Sequence, residues 1–225
     1  MNPETMRTPG CLRMAAERTA ALAGLVALSP LLAVIAAAIA VETGFPVLFR
    51  QRRVGRGGTD FYLLKFRSMA SGTKGPSITR SGDSRITGVG RFLRRYKLDE
   101  IPQLWNVVRG EMDLIGPRPE VPHYVDLSDP LWKAVLMTRP GISDLATLVY
   151  RNEEEALAAV PDPERFYRET ILPDKLALNL RYMRRRSPAS DFRLLFWTVR
   201  YSFAPAGFTP EKIRRLFQTS APHNA

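Results

Sequence analysis

The chain has 225 residues, 45% of them hydrophobic, and carries 33 Lys and Arg against 22 Asp and Glu, for a formal charge of +11. That length fits one domain with appendages, and the charge selects anionic partners: nucleic acid, an anionic membrane face or a phosphorylated substrate. A single cysteine, Cys11, excludes an intrachain disulfide and a Cys-rich zinc site, and His123 and His223 form no metal-ligand spacing.

Residues 19–41 contain no charged side chain and lie between Arg18 and Glu42. At about 1.5 Å per residue, a helix of that length reaches across a hydrocarbon core of about 30 Å. Ser29-Pro30 interrupts its middle, where proline removes an N–H and predicts a kink, and the serine hydroxyl can satisfy a freed carbonyl. Arg7, Arg13 and Arg18 precede the segment, and Arg50, Arg52, Arg53 and Arg56 follow it. Positive charge at both ends draws both to the cytoplasmic side, which favours a helix–break–helix that enters one leaflet and returns. A full transmembrane anchor and a cleaved leader are the alternatives, the latter ranked last because the apolar run is long for one.

Residues 47–53 and 59–69 read as two strands around Gly55-Arg56-Gly57-Gly58, hence a β-hairpin. In the second strand Leu64 and Phe66 alternate with Lys65 and Arg67, predicting one packed face and one showing two cations. Residues 71–84 are polar and glycine-rich and read as a loop. A short helix follows with Val89, Phe92, Leu93 and Tyr96 on one face and Arg91, Arg94 and Arg95 elsewhere. It runs directly into Asp99, so its cations lie near that carboxylate by connectivity.

Lys97-Leu98-Asp99-Glu100-Ile101-Pro102-Gln103-Leu104-Trp105-Asn106 is the most informative run. Ile101, Leu104, Trp105 and Val108 fall at helical spacing, Gly110 supplies the stop, and Pro102 belongs in a first turn. Asp99 is then expected at or beside the N-cap, where the helix dipole favours an ionised carboxylate. Two adjacent carboxylates in a strongly basic chain suit a nucleophile or metal ligand for a phosphorylated substrate, although an N-cap Asp followed by a first-turn Glu is also a common structural pair. Residues 111–122 are too proline-rich for regular structure. In Pro117-Arg118-Pro119 the stiffened backbone can present a guanidinium fork to phosphate. Residues 174–186 and 191–201 form two helical patterns; in the second, Phe192, Leu195, Phe196 and Val199 make an apolar stripe suited equally to a membrane interface or to the protein's own core. The tail after Ser220 is expected to be disordered.

Taken together, these blocks resemble the bacterial sugar transferases known as monotopic phosphoglycosyl transferases, in their short form. The resemblance covers most of the chain, from the apolar segment to about Tyr201. It is carried by Ser29-Pro30, by Phe49-Arg50-Gln51-Arg52-Arg53-Val54-Gly55, and by Leu64-Lys65-Phe66-Arg67-Ser68-Met69. Gly90-Arg91-Phe92-Leu93-Arg94, the Leu98–Asn106 signature, Gly116-Pro117-Arg118-Pro119 and Arg139-Pro140-Gly141-Ile142 continue it in order. The resemblance implies transfer of a sugar-1-phosphate from a UDP-sugar to polyprenyl (undecaprenyl) phosphate on the cytoplasmic face of the bacterial inner membrane. In that scheme Asp99 attacks the sugar-bearing phosphorus, UMP leaves, and the lipid phosphate attacks the resulting aspartyl-phosphosugar. Mg²⁺ sits at Asp99, Glu100 supports the carboxylate or the metal, Arg118 holds phosphate, and Lys65 and Arg94 are further phosphate contacts.

The fold implied is α+β and mostly helical: a re-entrant membrane helix broken at Ser29 and Pro30, a small β-hairpin, and interfacial amphipathic helices around a cytoplasmic catalytic core. Residues 1–45 form the membrane region, 46–203 the transferase domain and 204–225 a tail. The partners implied are UDP-sugar, polyprenyl phosphate and membrane lipid, with no nucleic acid and with a homodimer open. Ile142-Ser143-Asp144-Leu145-Ala146-Thr147 and Tyr150-Arg151-Asn152-Glu153-Glu154 depart from the commoner family pattern, which leaves the donor sugar open; the short form favours a small acetamido sugar. The rival readings are a membrane-tethered basic protein that binds nucleic acid and a scaffold without catalysis. Intact Asp99, Glu100 and Arg118 speak against the second.

Overall fold

The computed structural model describes residues 10–70, 72, 79, 81–204 and 209–218. In chain order these form α1 (Cys11–Thr43), β1 (Leu48–Val54), β2 (Asp60–Phe66), α2 (Gly88–Arg95), a 3₁₀ turn (Leu98–Glu100), α3 (Gln103–Arg109) and β3 (Asp113–Ile115). They continue with α4 (Pro130–Leu136), β4 (Gly141–Ser143), α5 (Leu145–Val149), α6 (Glu153–Ala158), α7 (Pro163–Phe166), α8 (Leu172–Arg185), α9 (Pro188–Phe203) and α10 (Pro210–Gln218). The architecture is mostly helical α+β, with one antiparallel hairpin (β1–β2) and one short parallel pair (β3–β4).

Among the described residues α1 is the one helix long and apolar enough to cross a membrane. It continues through Pro30 rather than stopping there. The physical reason is local: Pro30 cannot donate to the carbonyl of Val26, and Ser29 Oγ donates to that same oxygen at 2.8 Å. Both halves of α1 lie on the rest of the molecule. Ala21 packs with Leu63, Val107 and Met112, while Ile35 and Ile39 pack with Phe66 and Leu93. The stretch around Pro30 is mostly exposed, with Val26, Leu31 and Val34 open.

Two further hydrophobic clusters build the remaining body, one around Trp132, Tyr167 and Leu176, the other around Leu148, Leu194 and Ile213. The second draws on α10, an element that the sequence reading did not foresee. Ile213 is fully buried and Arg214 pairs with Asp174.

Several expectations are corrected. Residues 111–122 include a strand after all, because Asp113 and Ile115 pair in parallel with Gly141 and Ser143. Gly141 is required there: a β-carbon on it would lie 2.0 Å from the amide nitrogen of Gly116. Lys65 and Arg67 do not form a displayed cationic face, since Arg67 is buried and caps the end of α1 through Thr43 Oγ1 at 2.7 Å and the Gly44 carbonyl. Leu63 shares their side of the strand and is buried with Ala21 of α1. Phe92 is exposed, leaving Leu93 and Val89 as the packed positions of α2. The stripe of α9 is open, with Phe192 74% exposed and Leu195, Phe196 and Val199 also exposed, so it does not dock on the core. Parts of the 71–84 loop and the tail after Ser220 lie outside the described residues.

Candidate active site

Asp99 does not cap α3. Lys97 turns the chain with φ 57°, Asp99 lies inside the 3₁₀ turn, and α3 begins only after Pro102. Proline's missing N–H explains that boundary, because the first full turn of α3 has to start beyond it. Gly110 ends the helix with φ 76° as expected. α3 buries Gln103, Asn106 and Val107, with Leu104 and Val108 packed beside them, whereas Trp105 is 45% exposed. Asn106 explains the rotation. Its amide accepts from the Leu64 N–H at 3.1 Å and donates to the Tyr62 carbonyl at 2.8 Å and to Glu111 at 2.7 Å, which fastens α3 to β2. A lone asparagine within an apolar helical run was the available signal, because a buried amide has to find partners.

Arg118 is placed by the β3–β4 pair. Gly116 N–H donates to the Ser143 carbonyl at 3.1 Å, Gly141 N–H donates to the Pro117 carbonyl at 3.0 Å, and Arg53 donates to the Pro119 carbonyl at 2.8 Å. With the segment held on both sides, Arg118 bonds Glu100 in a fork, Nη2 to Oε1 at 2.6 Å and Nη1 to Oε2 at 3.1 Å. Lys65 Nζ lies 3.5 Å from Glu100 Oε1.

The two neighbouring carboxylates therefore differ sharply. Burial alone would raise Glu100, but Arg118, Lys65 and Lys97 outweigh it and hold the group well below the usual carboxylate range. Asp99 is only 4% exposed, and its Oδ1 is buried without a hydrogen-bond partner. Burial, and then the negative charge of Glu100, push Asp99 upward against the pull of Lys65, Lys97 and Arg94. Burial also lowers Lys65 to about 8, against the attraction of Glu100.

Lys65, Arg94, Asp99 and Arg118 line one cavity of about 590 Å³, and Glu100 backs it through Arg118 and Lys65. Among the described residues, seven Lys and Arg side chains and four carboxylates line this space, an environment that attracts an anion. Arg94 is not free: it pairs with Glu154 at the start of α6. Ser29 and Pro30 are remote from the cavity, in the middle of α1.

Sequence reasoning missed the other end of the cavity. There Tyr167 donates to Glu120 at 2.6 Å, Arg53 Nη1 lies 3.5 Å from the same carboxylate, and Lys175 pairs with Glu153. Gln51 and Arg53 share one side of β1, and that alternation was the only sequence signal for this wall.

Among the described residues no cluster of three or more His, Cys, Asp or Glu could cage a metal ion. A hard divalent cation that keeps water and binds through one carboxylate and substrate phosphates remains compatible with the unpartnered oxygen of Asp99.

The family model described as bacterial sugar transferase matches residues 9–205. A UDP-N-acetylgalactosamine-undecaprenyl-phosphate N-acetylgalactosaminephosphotransferase of Aeromonas hydrophila is 37% identical over 177 residues, covering 76% of this chain and 39% of the relative. A UDP-glucose:undecaprenyl-phosphate glucose-1-phosphate transferase of Caulobacter vibrioides is 45% identical over 123 residues, or 52% of this chain and 46% of that protein. The exopolysaccharide production protein ExoY of Rhizobium meliloti is 35% identical over 163 residues, covering 64% and 71%. The chain thus spans less than half the length of the Aeromonas and Caulobacter proteins. With a family match over nearly all of the described fold, the chain belongs to the bacterial sugar transferase family.

Proposed function

We propose that this protein transfers a sugar-1-phosphate from a UDP-sugar to undecaprenyl phosphate at the cytoplasmic membrane face and releases UMP. The observation that carries the reading is the division of labour between two adjacent carboxylates in a cationic cavity. Glu100 is spent on Arg118 and Lys65, and Asp99 keeps an uncommitted oxygen. Asp99 is the nucleophile: its oxygen bonds the sugar-bearing phosphorus as the bond to UMP breaks, and an oxygen of the lipid phosphate then displaces the carboxylate. Arg118 and Lys65 offset the negative charge that gathers when a carboxylate approaches a diphosphate. Arg94 supplies a third cation once a phosphate competes with Glu154 for it. Mg²⁺ held by Asp99 and the substrate phosphates would neutralise charge on the diphosphate and on the UMP that leaves it. The names of the Aeromonas and Caulobacter relatives support donor and acceptor class alike. Glu153 and Glu154, from the block that departs from the family pattern, line the same cavity and are placed to bear on the sugar.

The test is UMP release from a panel beginning with UDP-N-acetylgalactosamine and UDP-glucose, with undecaprenyl phosphate in detergent. One donor should turn over, and excess EDTA should reduce the rate at least tenfold. No UMP from any donor would end the reading, and full activity in EDTA would remove the metal from it.

The re-entrant placement of α1 is part of the same proposal. A straight helix of 33 residues is about 50 Å long, yet both of its ends are fastened to one body. Arg13 pairs with Asp191 at 2.7 Å, and Glu17 accepts from the Leu114 N–H at 2.9 Å. At the far end Glu42 accepts from the Gly88 N–H at 2.8 Å. Full crossing would tear one set away, whereas dipping the exposed middle around Pro30 into one leaflet keeps both. Reactive tags at each terminus should therefore be labelled only from the cytoplasmic side; labelling of the N-terminus from outside would establish a span.

A further inference from the structure

We propose that the apolar wall of the cavity beside the C-terminal end of α1, formed by Pro46, Leu48, Phe49, Phe66 and Met69, is the port by which the isoprenoid chain of the lipid acceptor reaches Asp99. This inference rests on the transferase reading above and assigns each side of the cavity to one substrate.

All five residues line the same cavity as Asp99, with Leu48 paired to Phe66 and Phe49 paired to Lys65 across the hairpin. Leu48 and Phe49 are 38% and 48% exposed, and Val41 and Phe45 extend open apolar surface back to the end of α1. The wall is continuous with the membrane helix, because Phe66 is buried against Ile35 and Ile39. It is also fixed relative to that helix. Arg67, the neighbour of Phe66, bonds Thr43 and Gly44, and Glu42 caps the first N–H groups of α2.

An isoprenoid chain has no hydrogen-bonding group and gains only by staying on apolar surface as it leaves the bilayer. Around Glu120, Glu153 and Lys175 the lining suits it less, because Val121, Tyr124 and Tyr167 are set among charged side chains. Glu120, Glu153 and Lys175 there are charged and Tyr167 is engaged by Glu120, so a chain laid over them would desolvate charge without replacing its partners. That end suits the hydrophilic nucleotide sugar. The isoprenoid chain then enters from the α1 side and the nucleotide from the side of Tyr167, while the lipid phosphate takes up the position at phosphorus, opposite Asp99, that UMP has left.

The experiment separates the half-reactions in the full-length protein. Wild type with donor alone should release one UMP and gain the sugar-phosphate mass; if it does neither, the transferase reading itself falls. Given that reaction, Phe49→Ser should leave the donor step within threefold and raise the KM for undecaprenyl phosphate at least tenfold. Its effect on geranyl phosphate, a short soluble acceptor, should stay below threefold, and Phe49→Leu should restore the long acceptor. Equal losses with both acceptors would overturn the port, because they would mark a general membrane-docking or folding role. Independently, a polyprenyl phosphate carrying a diazirine in its third isoprene unit, beyond the length of geranyl phosphate, should label wild-type peptides spanning 46–49 or 66–69. Labelling confined to peptides spanning 120–124 or 153–175 would overturn it as well.

Discussion

Asp99→Asn should abolish both the donor half-reaction and overall turnover, by at least a thousandfold, while the melting temperature holds or rises. The loss follows from removing a buried carboxylate oxygen of the cavity that has no protein partner. An asparagine amide is no nucleophile toward phosphorus, and its oxygen is a poor ligand beside a carboxylate for a hard cation. Stability should move the other way because Asp99 is held against its preference. Burial, and then Glu100, push its proton affinity upward, so at pH values just above the ordinary carboxylate range the folded chain binds a proton that the unfolded chain has released. Stability therefore falls as pH rises through that window, and a neutral isostere escapes the penalty. Intact-mass measurement after incubation with donor reads the first effect, and thermal melting reads the second. A variant that keeps wild-type turnover would dismiss Asp99 as the nucleophile. One that is inactive and several degrees less stable would show a structural role instead.

Arg118→Ala should cost both activity and stability. The substitution removes two bonds to Glu100 and leaves that buried carboxylate with Lys65 alone. Breaking one side of a buried ion pair costs about 3–5 kcal/mol. Turnover should fall by about 10²–10³, the size seen when a preorganised charge donor is lost from a reaction centre. Arg118→Lys should recover part of the stability but little of the rate, since an ammonium cannot reproduce the two-point fork. Adding Glu100→Gln to Arg118→Ala should return much of the stability without returning turnover, because the orphaned charge is then gone and the phosphate contact is not restored. Melting curves and UMP release across the three variants decide it. Turnover within threefold of wild type in Arg118→Ala would mean that the guanidinium only braces Glu100.

Local chemistry made much of this molecule readable from its residues. The hairpin around the Gly55–Gly58 turn, the helix stop at Gly110 and the apolar helix with its Ser29-Pro30 pair depend on neighbours within a few positions, and all three stand in the structure. The five residues that the resemblance assigns to phosphate chemistry also lie close together. Asp99 and Glu100 are adjacent by sequence, and Lys65, Arg94 and Arg118 were found through their blocks; the structure brings the set to one cavity, Glu100 backing it rather than lining it.

What the residues could not disclose were relations set by distant partners. The strand in the proline-rich stretch exists because Gly141 lets a second backbone come close to Gly116, and no pattern within residues 111–122 encodes that neighbour. The burial of Asn106 rather than Trp105 follows from hydrogen bonds to β2, some forty residues earlier in sequence. Two adjacent carboxylates look alike in a sequence. Only the fold, by seating Arg118 and Lys65 on one of them, separates a committed charge from a reactive one. Composition and spacing thus determined the preference for anionic partners and the local elements, and the sequence blocks carried the likeness to the transferase family, because those depend on side-chain type and neighbours along the chain. Tertiary structure decided which oxygen stays free and on which side of it an apolar wall stands, because both are set by contacts between segments far apart along the chain.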